Sequence, residues 1–397
     1  MFTRRAVIVD VLRTPFGRGR ETGALAHWHP VDLYAQVLAG IVERHSIDPA
    51  LIEDVISGCV LQVAEQSGNI GRQAALAAGF PESVPAVTLD RKCGSAQQAV
   101  DFAAQGVLAG AYDLVLAGGV EMMSCVPMKA NRMGKDNMGD AFHKRYPDGL
   151  VGQGISAELI AARWNISREE QDALALRSHA LAAAAEDRGS TARDILPVAG
   201  SDAGAIVACD EGVRRDSSLE KLAGLRPAYS NPEMQERFPE LHWSVTAGNA
   251  SQVSDGACAV LIAEEDTAVR LGLTPRASVE AFAVCGDDPL MMLTGIIPAT
   301  EKLLRRQGLS IQAVDAFEIN EAFASVVLAW ARHFEVDLER VNRLGGAIAL
   351  GHPVGASGGC LLGNLIRTLE EEGGRWGLQT MCESGGMANA TLFQRLS

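Results

Sequence analysis

Four stretches of this 397-residue chain put reactive side chains where they could be used. In RKCGSAQQA, Cys93 follows an apolar run and stands at or just before the first turn of a helix. Unpaired N–H groups and the helix dipole favour negative charge there, and a free thiol of pKa about 8.5 is lowered at such places. EINEAFASVV sets Asn320 and Glu321 between a strand end and a helix, and NRLGGAIALGHPVGASGG brackets His352 with glycines ahead of another helix. In TMCESGGMANATLF, Cys382 closes a strand and is followed by Ser384, Gly385 and Gly386. A thiol beside a histidine is a nucleophile with its base, a second thiol can move a proton, and glycines let a ligand approach the backbone. Each stretch also has a structural reading: a small buried cysteine, a capping asparagine, a core histidine. Singly, none of them decides.

Other chemistries fit less well. The glycine-rich run lacks the Gly-Lys-Ser/Thr ending of a phosphate loop, and no G-x-G-x-x-G opens a helix after the first strand, so a nicotinamide enzyme is poorly supported. A net charge of −14 argues against nucleic acid or an anionic membrane as partner. No apolar stretch approaches the roughly 20 residues of a membrane helix, and the N-terminal apolar run, cut by Asp10, reads as a strand and not as a signal peptide. Eight cysteines without a C-x-x-C pair suit a reducing cytoplasm better than a disulfide scaffold or a zinc site, so no metal is expected.

The elements that must position these residues are legible as an α/β alternation. Val84 to Leu89 reads as a strand, and from Ala96 the apolar positions Ala99, Val100, Ala103, Ala104, Val107 and Leu108 form one helical stripe. Gln97, Gln98, Asp101 and Gln105 fall on the opposite side, which predicts a helix with one polar, solvated face ending at Gly110. AVIVDVL, IEDVISGCVLQV and DLVLAGGVE predict further strands, with helices around 31–45 and in NIGRQAALAAGF, so a largely parallel sheet is expected. From about 121 to 244 the texture turns polar and irregular, with a locally basic stretch (Lys129, Arg132, Lys135, His143, Lys144, Arg145) and a capping-box pattern at Ser167 and Glu170. ERHSIDPALIEDVIS at 43–57 lines up without gaps on RRQGLSIQAVDAFEI at 305–319, pairing Ile47 with Leu309, Ile52 with Val314 and Val55 with Phe317. The chain therefore reads as one α/β unit duplicated, 1–120 plus 245–272 and then 273–397, with 121–244 inserted in the first copy.

Cys93 in RKCGSAQQA, NEAF at 320–323, GGAIALGHPVGASG at 345–358, Cys382 in CESGG and TAGNASQVSDGACAV at 246–260 together resemble the thiolases, in order and along the whole chain. The resemblance implies a five-layered α-β-α-β-α fold of two duplicated halves with an inserted loop domain. It implies that Cys93 becomes acylated, that His352 activates first that thiol and then the thiol of coenzyme A, and that Cys382 moves a proton at the α-carbon of the acetyl unit. Asn320 would hold a water that forms one oxyanion hole with His352, and the backbone N–H groups of Cys93 and Ser384 would form the other. Ser251 matches a contact to the pantetheine arm of coenzyme A, and Arg226 a contact near its nucleotide. No cofactor would be bound permanently, coenzyme A being substrate and product, and a homodimer or homotetramer is implied.

Several positions depart from the commonest thiolase pattern. Ser384 and Ala96 each replace a glycine, Gln153 stands at a position where short-chain biosynthetic members have methionine, and the 229–244 segment is longer than theirs. These departures point to a degradative 3-ketoacyl-CoA thiolase, with acetyl-CoA C-acetyltransferase activity as the alternative. More distant are a ketoacyl-synthase-type condensing enzyme, which would use one cysteine with two histidines, and a non-catalytic acyl-CoA-binding relative.

Overall fold

The computed structural model describes residues 4–202 and 204–396. In chain order β1 (Ala6–Arg13), β2 (Gly17–Arg18), α1 (Pro30–Arg44), β3 (Val55–Gly58), α2 (Ile70–Ala77), β4 (Ala86–Leu89), α3 (Ser95–Ala109) and β5 (Leu114–Met122) come first. Local chemistry sets the helix ends. Pro30, whose fixed φ suits a first turn, opens α1 behind His29, and α3 stops where Gly110 takes a φ of 79° that glycine adopts without strain. The next segment carries α4 (Asp140–Arg145), α5 (Gln153–Arg163), α6 (Arg168–Arg188), β6 (Val198–Ala199), β7 (Ile206–Val207), α7 (Leu219–Ala223) and α8 (Pro232–Arg237). The capping box at Ser167 and Glu170 is present at the start of α6. Then follow β8 (Ser254–Glu264), α9 (Glu265–Arg270), β9 (Ala277–Gly286), α10 (Ile296–Gln307), β10 (Ala316–Ile319), α11 (Ala324–Phe334), α12 (Ala347–Leu350), α13 (Ser357–Glu372), β11 (Trp376–Glu383) and β12 (Met387–Arg395).

The main sheet has ten strands in the order β10-β11-β12-β9-β1-β8-β5-β3-β4, with β2 beside β8. Its pairing repeats from both ends inward. β3 runs parallel to β5, which is antiparallel to β8, which is antiparallel to β1; β10, β11, β12 and β9 repeat that series. The two series join through Val7–Ser278 and Ile8–Ala277 of β1 and β9. The ungapped match of 43–57 on 305–319 is thus structural: the 3-10 turns Pro49–Leu51 and Ile311–Ala313 coincide, and Ile52, Val55, Val314 and Phe317 are all buried. Helices α1 and α2 cover the first series, α10 and α11 the second, and α3 and α13 lie between them. The central pair touches closely enough that a Cβ at Gly358 would stand 2.5 Å from Gln97 N. These are five layers, α-β-α-β-α.

Two expectations need correction. The sheet is mixed, because only β3–β4, β3–β5 and β10–β11 are parallel among the described strands. Each half ends on an antiparallel strand; β11 returns to β12 through the turn at 384–386, too short for a parallel crossover. Gln97, Gln98 and Asp101 are not solvated: they are 1%, 2% and 0% exposed. A helix lying between two sheets has no water face, and its polar side is buried against β11 and β12, with Gln97 Nε2 donating to Thr391 Oγ1 at 2.8 Å. Phe102, 43% exposed, and Gln105 do reach solvent.

Segment 121–244 packs on both series: Val198, with Leu196 and Val207, joins the core of the first, whereas α5 and α6 bury their apolar side on the second. Ala157, Ile160 and Leu174 share one core with Ile297, Val326 and Ala329, and Ser325 Oγ donates to Ala157 O at 2.9 Å.

Candidate active site

The site is built on two strand glycines, Gly58 at the end of β3 and Gly119 within β5. A Cβ at Gly58 of β3 would stand 2.7 Å from both Ala96 N and Gly355 O, and one at Gly119 of β5 would collide with the same Gly355 carbonyl. Bare backbone there seats both the N-terminus of α3 and the 352–356 loop.

Cys93 precedes α3 on a tight turn. Lys92 takes a left-handed φ of 50°, a strained value for a lysine, held by Asp90, which accepts from Lys92 N at 2.7 Å. Ser95 fastens the turn by accepting from Arg91 N at 2.8 Å and donating to Lys92 O at 2.6 Å. The thiol is 4% exposed and packs among Met123, Val126, Val354 and Met381. Burial drives its pKa up, with Cys382 and Glu383 adding to the rise, and the local N–H and Lys92 only partly offset this. The lowered pKa expected at a helix start is therefore outweighed by desolvation, and Cys93 rests as a thiol that needs a base.

His352 has the form of that base. Its N–H donates to Gln252 O and Ser254 Oγ, each at 3.0 Å, which fixes the backbone. Nδ1 lies 2.7 Å from Ser357 Oγ, whose own hydroxyl is directed at Pro353 O at 2.9 Å. Ser357 thus accepts from Nδ1–H, which leaves Nε2 with its lone pair, and Nε2 is buried without a partner among the described residues. Burial lowers the imidazole pKa to about 4, so it is neutral near pH 7 and free to take a proton.

Asn320 and Cys382 meet across β10 and β11. Asn320 Nδ2 lies 3.7 Å from Cys382 Sγ, and Asn320 Oδ1 is buried with no partner among the described residues. Cys382 is pushed up to about 12, chiefly by burial and against the pull of Asn320, so it is held as a proton donor. Unsatisfied buried atoms are uncommon in native proteins, and two of those present here, His352 Nε2 and Asn320 Oδ1, fall on residues that the sequence singled out.

The supporting residues tie these elements together. Glu321 accepts from Ser178 Oγ at 2.6 Å, Asn342 Nδ2 at 2.9 Å and Ile348 N at 3.1 Å, tying α6, the NEAF turn and α12 together. Segment 249–254 runs along NEAF, with Ser251 N donating to Ala322 O and Ala324 N to Asn249 O, both at 2.9 Å. Gln252 then reaches Ile348 O at 2.9 Å and Gly212 O at 3.0 Å. Ser251 is therefore beside NEAF and one residue from the peptide that orients His352. Ser357, Gln252 and Ser254 were not singled out by sequence, since nothing in a serine or glutamine marks it as a histidine's support. Ser384 is half-buried in the turn before β12, followed by Gly385 and Gly386 at φ 92° and 77°. Arg226 is exposed, next to the bridge between Pro227 and Thr246.

The chain matches the thiolase N-terminal domain over residues 6–266 and the thiolase C-terminal domain over residues 273–395. It is 46% identical over 399 residues to a steroid 3-ketoacyl-CoA thiolase of Mycobacterium tuberculosis, covering 98% of this chain and 94% of that one. A 3-ketoacyl-CoA thiolase of Aliivibrio fischeri is 41% identical over 403 residues, covering 99% and 100% of the two chains. The crystal structure of the Bacillus anthracis acetyl-CoA acetyltransferase superposes with a TM-score of 0.87 at 35% identity, covering 99% of both chains. With both domains matched in order, and Cys93, Asn320, His352 and Cys382 carried on the elements just described, the chain belongs to the thiolase family.

Proposed function

We propose that this protein cleaves 3-ketoacyl-CoA with coenzyme A, giving acetyl-CoA and an acyl-CoA shortened by the acetyl unit, and that it works in the cytoplasm as a homodimer or homotetramer. The observation that carries the mechanism is His352: neutral, locked at Nδ1 and unpartnered at Nε2. Nε2 takes the Cys93 proton as Sγ attacks the keto carbon. The bond between the α and β carbons breaks, its electrons form the acetyl-CoA enolate, and Cys382 protonates that carbon. The proton on His352 passes to the Cys382 thiolate, restoring both groups; His352 then takes the proton of coenzyme A's thiol, whose sulfur attacks the acyl-Cys93 thioester and expels Cys93, which recovers that proton from His352. An oxyanion forms in each step, and losing one preorganised donor typically costs about 3–4 kcal/mol. We assign one hole to Asn320, through a water, with His352, and the other to the N–H groups of Cys93 and Ser384. Ser251 and Arg226 are assigned to coenzyme A. The proposed units are 1–120 plus 245–272, an inserted loop domain at 121–244, and 273–397.

The test is direct. Quenched incubation with acetoacetyl-CoA leaves an acetyl mass increment on the Cys93 peptide, and its absence overturns the reading. The same series, extended over 3-ketoacyl-CoAs of increasing length and over cyclic ones, separates a degradative thiolase from an acetyl-CoA C-acetyltransferase, for which acetoacetyl-CoA remains the best substrate. The steroid substrate in the name of the Mycobacterium tuberculosis relative makes ring-bearing acyl groups the first to try. Arg226→Ala raises the KM for coenzyme A about tenfold while changing kcat less than about twofold, because an exposed contact far along the nucleotide binds ground and transition states alike. Steady-state kinetics at varied coenzyme A checks it. Asn320 and Cys382 disfavour a condensing enzyme of the one-cysteine, two-histidine type, and a decarboxylative assay with malonyl substrates that outran thiolysis would reverse that choice.

A further inference from the structure

Glu383 follows Cys382 on β11 and points to the opposite face. Cys382 belongs to the outer core, whereas Glu383 reaches the central layer beneath the start of α3. It is fully buried, and neither carboxyl oxygen has a hydrogen-bond partner among the described residues. Its Oε1 lies against Gly94, the residue after Cys93, where any Cβ would collide with it. That same Cβ would stand 3.0 Å from Asn389 Oδ1, another buried acceptor with no donor, while Asn389 Nδ2 donates to Gly94 O at 3.1 Å. Glu383 Oε1 and Asn389 Oδ1 are thus buried acceptors beside one glycine that receive no hydrogen, because Asn389 Nδ2, 2.9 Å from that same Cβ position, is spent on Gly94 O. A single proton on Glu383 supplies the missing donor.

The charged and titratable groups around it agree. Asp101 of α3 accepts from Thr391 Oγ1 at 2.7 Å through one oxygen and leaves the other unpartnered. Asp90 and Arg91 stand in the turn ahead of α3, and Cys93 is near enough that a charge on Glu383 would raise its pKa. Burial is the largest influence and Arg91 the one that pulls downward; with Asp101 and Asp90 pushing up, the carboxyl is pushed up to about 8.

We propose that Glu383 is a positioning residue carried as a neutral acid. Its O–H donates to Asn389 Oδ1, and Asn389 in turn holds the Gly94 carbonyl, so the peptide that follows the nucleophile is fixed without placing a negative charge beside Sγ. The inference rests on Cys93 as the nucleophile.

The test measures the alkylation rate of Cys93 by iodoacetamide, read from its peptide mass, in the full-length protein and in Glu383→Gln. Between about pH 6 and pH 7 the two rates agree within about twofold; by about pH 9.5 the variant reacts about tenfold faster, since only the wild type has gained an opposing charge, and one pKa unit is tenfold. A variant already about tenfold faster at pH 6, or curves that superpose throughout, overturns the proposal. A merely structural glutamate would move neither curve. If Glu383→Gln does not fold, the infrared difference between wild type and Glu383→Ala decides: a protonated carboxyl band near neutral pH supports the assignment, and a carboxylate band overturns it. Alkylation reports the thiol and not turnover, so this inference can fail while acylation of Cys93 stands, and the reverse.

Discussion

Cys93→Ala lowers kcat/KM for thiolysis of acetoacetyl-CoA by about 10⁴-fold or more while coenzyme A still binds, since residues of a covalent relay fail as a unit. The apolar neighbours of Cys93, Met123, Val126, Val354 and Met381, offer no substitute nucleophile; Cys125 packs on the same cluster, its thiol pushed up to about 12 by burial and Glu65, and Cys382 is held beside Asn320. Replacing a thiol by a methyl in a packed apolar cluster costs about 1 kcal/mol, too little to unfold the protein, so thermal melting and calorimetric binding of coenzyme A separate lost chemistry from lost fold. Retention of more than about 1% activity would place the nucleophile elsewhere, because the loss expected of a relay member is far larger.

Cys382→Ala divides the reaction. Thiolysis falls about 10³-fold, within the range contributed by a positioned general acid, because the departing enolate loses its proton source. Acetyl exchange between acetyl-CoA and a second thiol needs only Cys93 and His352 and stays within about tenfold of wild type. The variant also strips Asn320 Nδ2 of its sulfur contact, which accounts for a modest loss in exchange. Isotope exchange and thiolysis assayed on one preparation give the ratio. Equal loss in both would mean that Cys382 supports the site without moving a proton.

Much of this was legible in the residues because local chemistry carried it. Gly110, Pro30 and the Ser167–Glu170 box act within one turn, and the elements they bound lie where the sequence puts them, give or take a residue. The duplication was visible in the 43–57 and 305–319 match because both copies bury the same positions. What was hidden depends on distant neighbours. Gln97 and Asp101 look like a solvated face until two sheets close on α3, and the sheet looks parallel until β8 and β12 are seen returning against β5 and β11. Likewise the pKa of Cys93 reads as lowered from its helix position and raised from its burial, and only the folded packing says which is larger.

The path of segment 121–244 bears on how the protein is made. A ribosome delivers residues 121–244 well before α10 and α11, yet the apolar side of α5 and α6 rests on Ile297, Val326 and Ala329. Until that stretch emerges, Ala157, Ile160 and Leu174 face water beside a sheet whose β1 has received β8 but still lacks β9. Transiently exposed apolar surface and an unpaired strand edge are what chaperones bind. The nascent chain therefore carries this open surface until its last third is made, and a cut at the boundary between its two copies would part α5 and α6 from the helices they pack on.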